Sequence, residues 1–105
     1  MKKSKSLWTI LVPRFSNEGE EFDLQFHKLW DEKVKEISGG LTILRTAKGS
    51  WIDTDKKDFS EEMIPVMIRC TKKEIKKITN YTINYYNQKA IFYYLQSKKT
   101  YILKR

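Results

Sequence analysis

One cysteine and one histidine in 105 residues remove much of the side-chain chemistry open to a small protein. Cys70 has no partner for an internal disulfide and cannot build a thiolate zinc cluster, a usage that suits a reducing cytoplasm. His27 would need at least two further good ligands to hold a metal, and the chain offers only scattered carboxylates, so no metal and no cofactor are expected. Glycine and proline are also scarce, at four and two residues, and no low-complexity linker separates one part of the chain from another. One domain is therefore expected over 1–105, with 1–6 a basic N-terminal tail and 99–105 a basic C-terminal extension. Long apolar runs are missing. Residues 7–12 are too few for a signal-peptide core, and nothing approaches the ~20 apolar residues of a membrane span. The expectation is a cytoplasmic protein with no membrane contact.

Acidic residues nearly vanish after Glu62. From Met63 onward one acid, Glu74, faces ten basic residues, a local balance of +9 in a chain of net charge +8. The first 62 residues are close to neutral. Such asymmetry favours an acidic partner: nucleic acid, nucleotide or an acidic protein surface. Solubility alone is the other reading of the same charge.

What is present is a run of alternating elements. Residues 7–15 are apolar and β-branched enough for a strand, ended near Arg14 by Pro13. After the polar loop 16–21, Phe22, Phe26, Leu29, Trp30, Val34 and Ile37 recur at helical spacing. Gly39 and Gly40 then supply a left-handed cap. A glycine loop that cradles phosphate precedes a helix, whereas this pair follows one. The Walker pattern GxxxxGK[ST] is absent. Residues 41–46 read as a strand that 47–50 break or bulge before 51–53 resume it. A turn over 53–58 leads to a third strand, 61–70, in which Pro65 conflicts with a central position. Thr71 and Glu74 form a capping box for a second helix, with Ile75, Ile78, Thr82 and Tyr85 on its inner face and Asn87 at its end. A last strand over 90–95 follows, and 99–103 could extend it or add a short edge.

The order βαββαβ predicts an α+β, ferredoxin-like fold: a four-stranded antiparallel sheet with both helices on one face. The uncovered face should be polar and is not. Met63, Met67, Phe92 and Tyr94 point away from the helices, and such an apolar face is expected to close against a second copy, giving a homodimer.

The segments FHKLWDEKVKEISGGLTILRTAKGSWID, EEMIPVMIRC and YYNQKAIFYYL resemble a family of small bacterial proteins known only as a domain of unknown function. The matching positions are Gly40, Leu41, Thr42, Gly49, Trp51, Asp53 and Gln88, within about residues 26–95. The resemblance implies a ferredoxin-like, dimeric chain and transfers no activity. The Lys-rich second helix and tail depart from it.

Two basic sets are candidate sites. Lys72, Lys73, Lys76 and Lys77 on the second helix could contact phosphates or an acidic partner, since backbone contacts to nucleic acid need little beyond charge. Arg14, Arg45, Lys48 and Trp51 could hold a nucleotide-like ligand by charge and stacking. Base stacking in the manner of an RNA-recognition motif is disfavoured, because the third strand lacks the aromatics that such a motif uses. The expected function is non-catalytic, homodimeric binding of an anionic partner, of the sort that phage or mobile-element inhibitors and sequestering proteins provide. A structural dimer without ligand, and a small enzyme using His27 at a subunit interface, are the alternatives.

Overall fold

The computed structural model describes residues 4–43, 47–52 and 58–105, and only the backbone of 47–52 and 58–61. The elements are β1 (Ser6–Pro13), α1 (Leu24–Ser38), β2 (Thr42–Ile43), β3 (Ala47–Ile52), β4 (Asp58–Cys70), α2 (Lys72–Tyr85) and β5 (Tyr93–Ser97). The sheet is antiparallel in the order β2-β4-β1-β5, and β3 also pairs with β4. Because β2 and β3 pair with successive stretches of β4, they fill one lane. The result is the expected four-lane, ferredoxin-like arrangement.

Alternation along the strands decides which side meets the helices. Ile10 and Val12 of β1 and Val66, Ile68 and Cys70 of β4 are buried against Trp30 and Val34 of α1 and Ile75, Ile78 and Tyr86 of α2 or its end. Each such apolar side chain contributes roughly 1.5–3 kcal/mol on burial. The helix ends follow from local chemistry. Asp23 accepts from the Phe26 N–H at 2.8 Å to start α1, and Gly39, at φ 92°, ends it by donating its N–H to the Lys35 carbonyl at 2.7 Å. In α2 the capping box is complete. The Glu74 N–H donates to Thr71 Oγ1 at 3.1 Å, and the Thr71 N–H donates to the Glu74 carboxylate at 2.8 Å.

Several expectations shift. α1 begins at Leu24, Leu29 lies 48% exposed, and Ser38 takes a buried place on the stripe instead. In α2 the inner row steps through Ile75, Ile78 and Thr82 to Tyr86, not Tyr85. Asn87 holds the left-handed conformation, φ 50°, one residue beyond the cap. Only Gly39 of the glycine pair has positive φ. β3 pairs without interruption from Ala47↔Met63 to Ile52↔Asp58, so no break falls at Lys48 or Gly49. The register does change between Ile43↔Val66 and Ala47↔Met63, pairs that are four residues apart along one side and three along the other.

Pro65 sits on the shorter side of that offset, which resolves its conflict with a central strand. The Leu11 N–H donates to the Phe92 carbonyl across the β5 side, so the Leu11↔Pro65 pair exchanges no hydrogen bonds across β1 and β4. The missing N–H of Pro65 therefore points toward the lane of β2 and β3, between their two ladders. Past Asn87 the chain reaches the sheet later than expected, so the last strand is 93–97, and 99–103 add no edge strand.

Candidate functional site

Strand register collects positive charge at one end of the sheet. Ser6 pairs with Cys70, and Leu7 pairs with both Arg69 and Ser97. The start of β1, the end of β4, the start of α2 and the end of β5 therefore converge. Lys5, Arg69, Lys72, Lys73, Lys98 and Lys99 enter from these four chain segments, and all are exposed. Arg69 donates from Nε to Thr100 Oγ1 at 2.6 Å, and Ser6 Oγ donates to the Lys98 carbonyl at 3.4 Å, which ties the C-terminal segment to this end.

Around the rim, Lys72, Lys73 and Lys76 line a shallow depression of about 410 Å³ together with Ser4 and Thr71. Lys77 is exposed one position further along α2 and is not part of that lining. Among the described residues the ion pairs are Arg14 with Glu21, Arg14 with Glu62, and Lys33 with Glu36. None involves the basic end. Its one nearby acid, Glu74, is occupied in the capping box.

The opposite end of β1 carries the contrary charge. Glu18, Glu20, Glu21 and Asp23 follow it, and Arg14 lies 3.0 Å from Glu21 and 3.4 Å from Glu62. Its charge is met within the fold by these two carboxylates. Arg45 lies outside the described residues. Lys48 and Trp51 stand opposite Glu62 and Phe59 in β3, where only their backbone is described.

His27 has a different setting from a lone surface imidazole. Its Nδ1 is 2.7 Å from the Tyr86 hydroxyl, with Phe22 edge-on to both rings. Burial lowers its pKa, against the opposing charges of Asp31, Asp23 and Glu21. Burial likewise raises the pKa of Asp31 and, strongly, that of Tyr86. These groups join α1 to α2. Among the described residues no group of three His, Cys, Asp or Glu could hold a metal ion, and no described helix is long and apolar enough to cross a membrane.

On the sheet face away from the helices, Met63 and Met67 are half-buried, whereas Phe92 and Tyr94 are 63% and 44% exposed with ring centroids 5.8 Å apart. Lys5 and Arg69 are the members of the basic end that composition could not single out. Their signal is register, since residues 69 and 5 are neighbours only once β1 and β4 pair.

No protein-family model matches the chain, and no curated protein matches its sequence. The likeness is to solved structures. A phage SAM lyase in complex with S-methyl-5'-thioadenosine superposes with a TM-score of 0.70 at 7% identity, over 93% of this chain and 84% of that one. The stable protein CutA1 from the psychrotrophic bacterium Shewanella sp. SIB1 gives 0.68 at 12% identity, over 97% and 88%. The divalent cation tolerance protein CutA1 from Thermus thermophilus gives 0.63 at 8%, over 91% and 87%. At these identities the likeness is one of fold. It supports the ferredoxin-like architecture and names no family for the chain.

Proposed function

We propose that the protein is a non-catalytic, homodimeric binding protein of the cytoplasm whose basic end engages the phosphates of an anionic partner, with a nucleic-acid backbone as the preferred one. The observation that carries this reading is the convergence of Lys5, Arg69, Lys72, Lys73, Lys98 and Lys99 from four chain segments, with no ion pair to any of them among the described residues. Like charges brought together repel, and a polyanion relieves that repulsion while releasing its own counterions. The depression beside Lys72, Lys73 and Lys76 is open, which suits an extended chain of phosphates better than an enclosed small molecule. A nucleotide or an acidic protein surface would use the same charge. The thioadenosine compound bound by the structurally similar phage enzyme makes adenine nucleotides the first small molecules to compare.

The test is fluorescence anisotropy with labelled single- and double-stranded 20-mers across 50–200 mM salt, at roughly the range where phosphate contacts weaken. Binding should fall steeply with salt. The double variant Lys73→Glu, Lys76→Glu should weaken it at least tenfold, with the melting temperature nearly unchanged. Salt-independent binding, or none to any nucleic acid, overturns the nucleic-acid reading.

A structural dimer without ligand is the second reading, favoured by the exposed Phe92 and Tyr94 pair on the uncovered sheet face. It predicts self-association with no anion dependence.

A further inference from the structure

On the other side of Lys5 from the lysines of α2, a separate groove of about 320 Å³ runs between the end of α1 and the sheet. Its walls differ in character. Lys5 and Arg69 bring two cations, Leu7, Leu41 and Met67 bring apolar surface, and Ser38, Gly39, Gly40 and Thr42 complete it. We propose that this groove is a binding site for a small molecule with one anionic group, phosphate or carboxylate, attached to a flat or apolar body.

Arg69 supplies the strongest reason. Its Nε is held by Thr100 Oγ1 at 2.6 Å, and among the described residues it has no carboxylate partner. One edge of the guanidinium is thereby fixed, and its remaining donors stay available for a planar or tetrahedral anion. Lys5 adds a second, mobile charge that does not need the same geometry. The apolar side chains give the rest of such a ligand a surface to cover, so charge and hydrophobic contact select the same molecule. Glycine at position 40 keeps the opposite wall low. A Cβ built there meets nothing within 4 Å, and the residue has no positive φ that would require glycine.

The site shares Lys5 and Arg69 with the basic end and Met67 with the face proposed for self-association, and its test separates it from the phosphate contacts of α2. Phenyl phosphate, phenylacetate and inorganic phosphate would be titrated into the full chain, followed by amide chemical shifts. Phenyl phosphate or phenylacetate should bind at least tenfold more tightly than inorganic phosphate, with shifts concentrated at Gly39, Gly40, Thr42 and Arg69. The better of the two identifies the anionic group. Arg69→Gln should weaken binding tenfold or more, and Gly40→Val, which narrows the groove without backbone strain, should weaken it independently. Lys73→Glu should leave it within twofold. Shifts confined to α2, equal binding of inorganic phosphate, or affinity unchanged in both groove variants would overturn the proposal.

Discussion

His27 on α1 and Tyr86 just past α2 face each other with Nδ1 and hydroxyl 2.7 Å apart, a contact that joins the two helices alongside those of Trp30 with Thr82 and Tyr85 with Phe26. Tyr86 is almost wholly buried, with the rings of Phe22 and Phe26 at 5.0 and 5.4 Å. Tyr85 donates its hydroxyl to the Phe26 carbonyl at 2.7 Å nearby. A protonated His27 would place charge against this apolar surround. Asp31, Asp23 and Glu21 partly offset that, but burial is the larger effect and the folded-state pKa is lowered. Stability from this residue is therefore present above the unfolded value, near 6.5, and is lost as pH falls from there through the folded value. Urea midpoints should drop between pH 7.5 and 5.5 more in the native protein than in His27→Gln. An equal drop in both would remove the assignment.

Thr82 gives a second prediction. Its hydroxyl accepts from Trp30 Nε1–H at 2.9 Å and donates to the Ile78 carbonyl at 2.6 Å, all in the buried interior. Thr82→Val keeps the volume but orphans the indole N–H, at a cost of about 1–3 kcal/mol. Denaturant unfolding with an unchanged m-value should report it. A Thr82→Ser variant, which restores the acceptor, should recover more than its lost methyl would suggest.

Cys70 is buried, and its thiol pKa is pushed up to about 12 by burial, with Glu74 adding to the rise. The native protein should resist Ellman's reagent at pH 8 for as long as it stays folded and react completely in denaturant, since the thiolate is the nucleophile. Rapid labelling of the native state would mean that β4 and α2 separate there.

The fold was legible because its signals are local and periodic. The capping box at Thr71 and Glu74, the stripe through Trp30 and Val34, and the alternation of Val66, Ile68 and Cys70 each specify an element without reference to the others. What stayed hidden depends on register. Nothing within β4 alone says that Pro65 falls where two ladders are offset, or that Arg69 stands beside Leu7 and Ser97. Arg14 reads as a free cation until Glu21 and Glu62 are brought to it by the fold. The lysines of α2 were visible as a charge run, but the end they share with Lys5 and Arg69 exists only in the paired sheet.

The two glycines after α1 should behave differently. Gly39 occupies φ 92°, where an L-residue is strained, and Gly40 does not. Gly39→Ala should cost on the order of 1 kcal/mol. Gly40→Ala should change stability by less than half of that, because a Cβ has open space there. Comparing both thermal and urea unfolding checks the pair, and equal costs would contradict the cap assignment.

Self-association makes the last prediction. Met67 lies on the uncovered sheet face, with Thr9 across one ladder and Thr42 across the other, and Phe92 and Tyr94 extend the same apolar surface toward β5. In a monomer a lysine at position 67 could run its stem over the sheet and keep its ammonium in water at little cost. Between two packed sheets the same charge would be buried without a partner, at a cost of several kcal/mol. Met67→Lys should therefore leave the far-ultraviolet spectrum unchanged yet shift the mass by light scattering from twice 12.6 kDa toward 12.6 kDa. Phe92→Ser, at a residue 63% exposed in the single chain, should weaken association in the same direction without touching the core. If the unmodified chain runs as a monomer at several hundred micromolar, the face has another use and the homodimer is wrong.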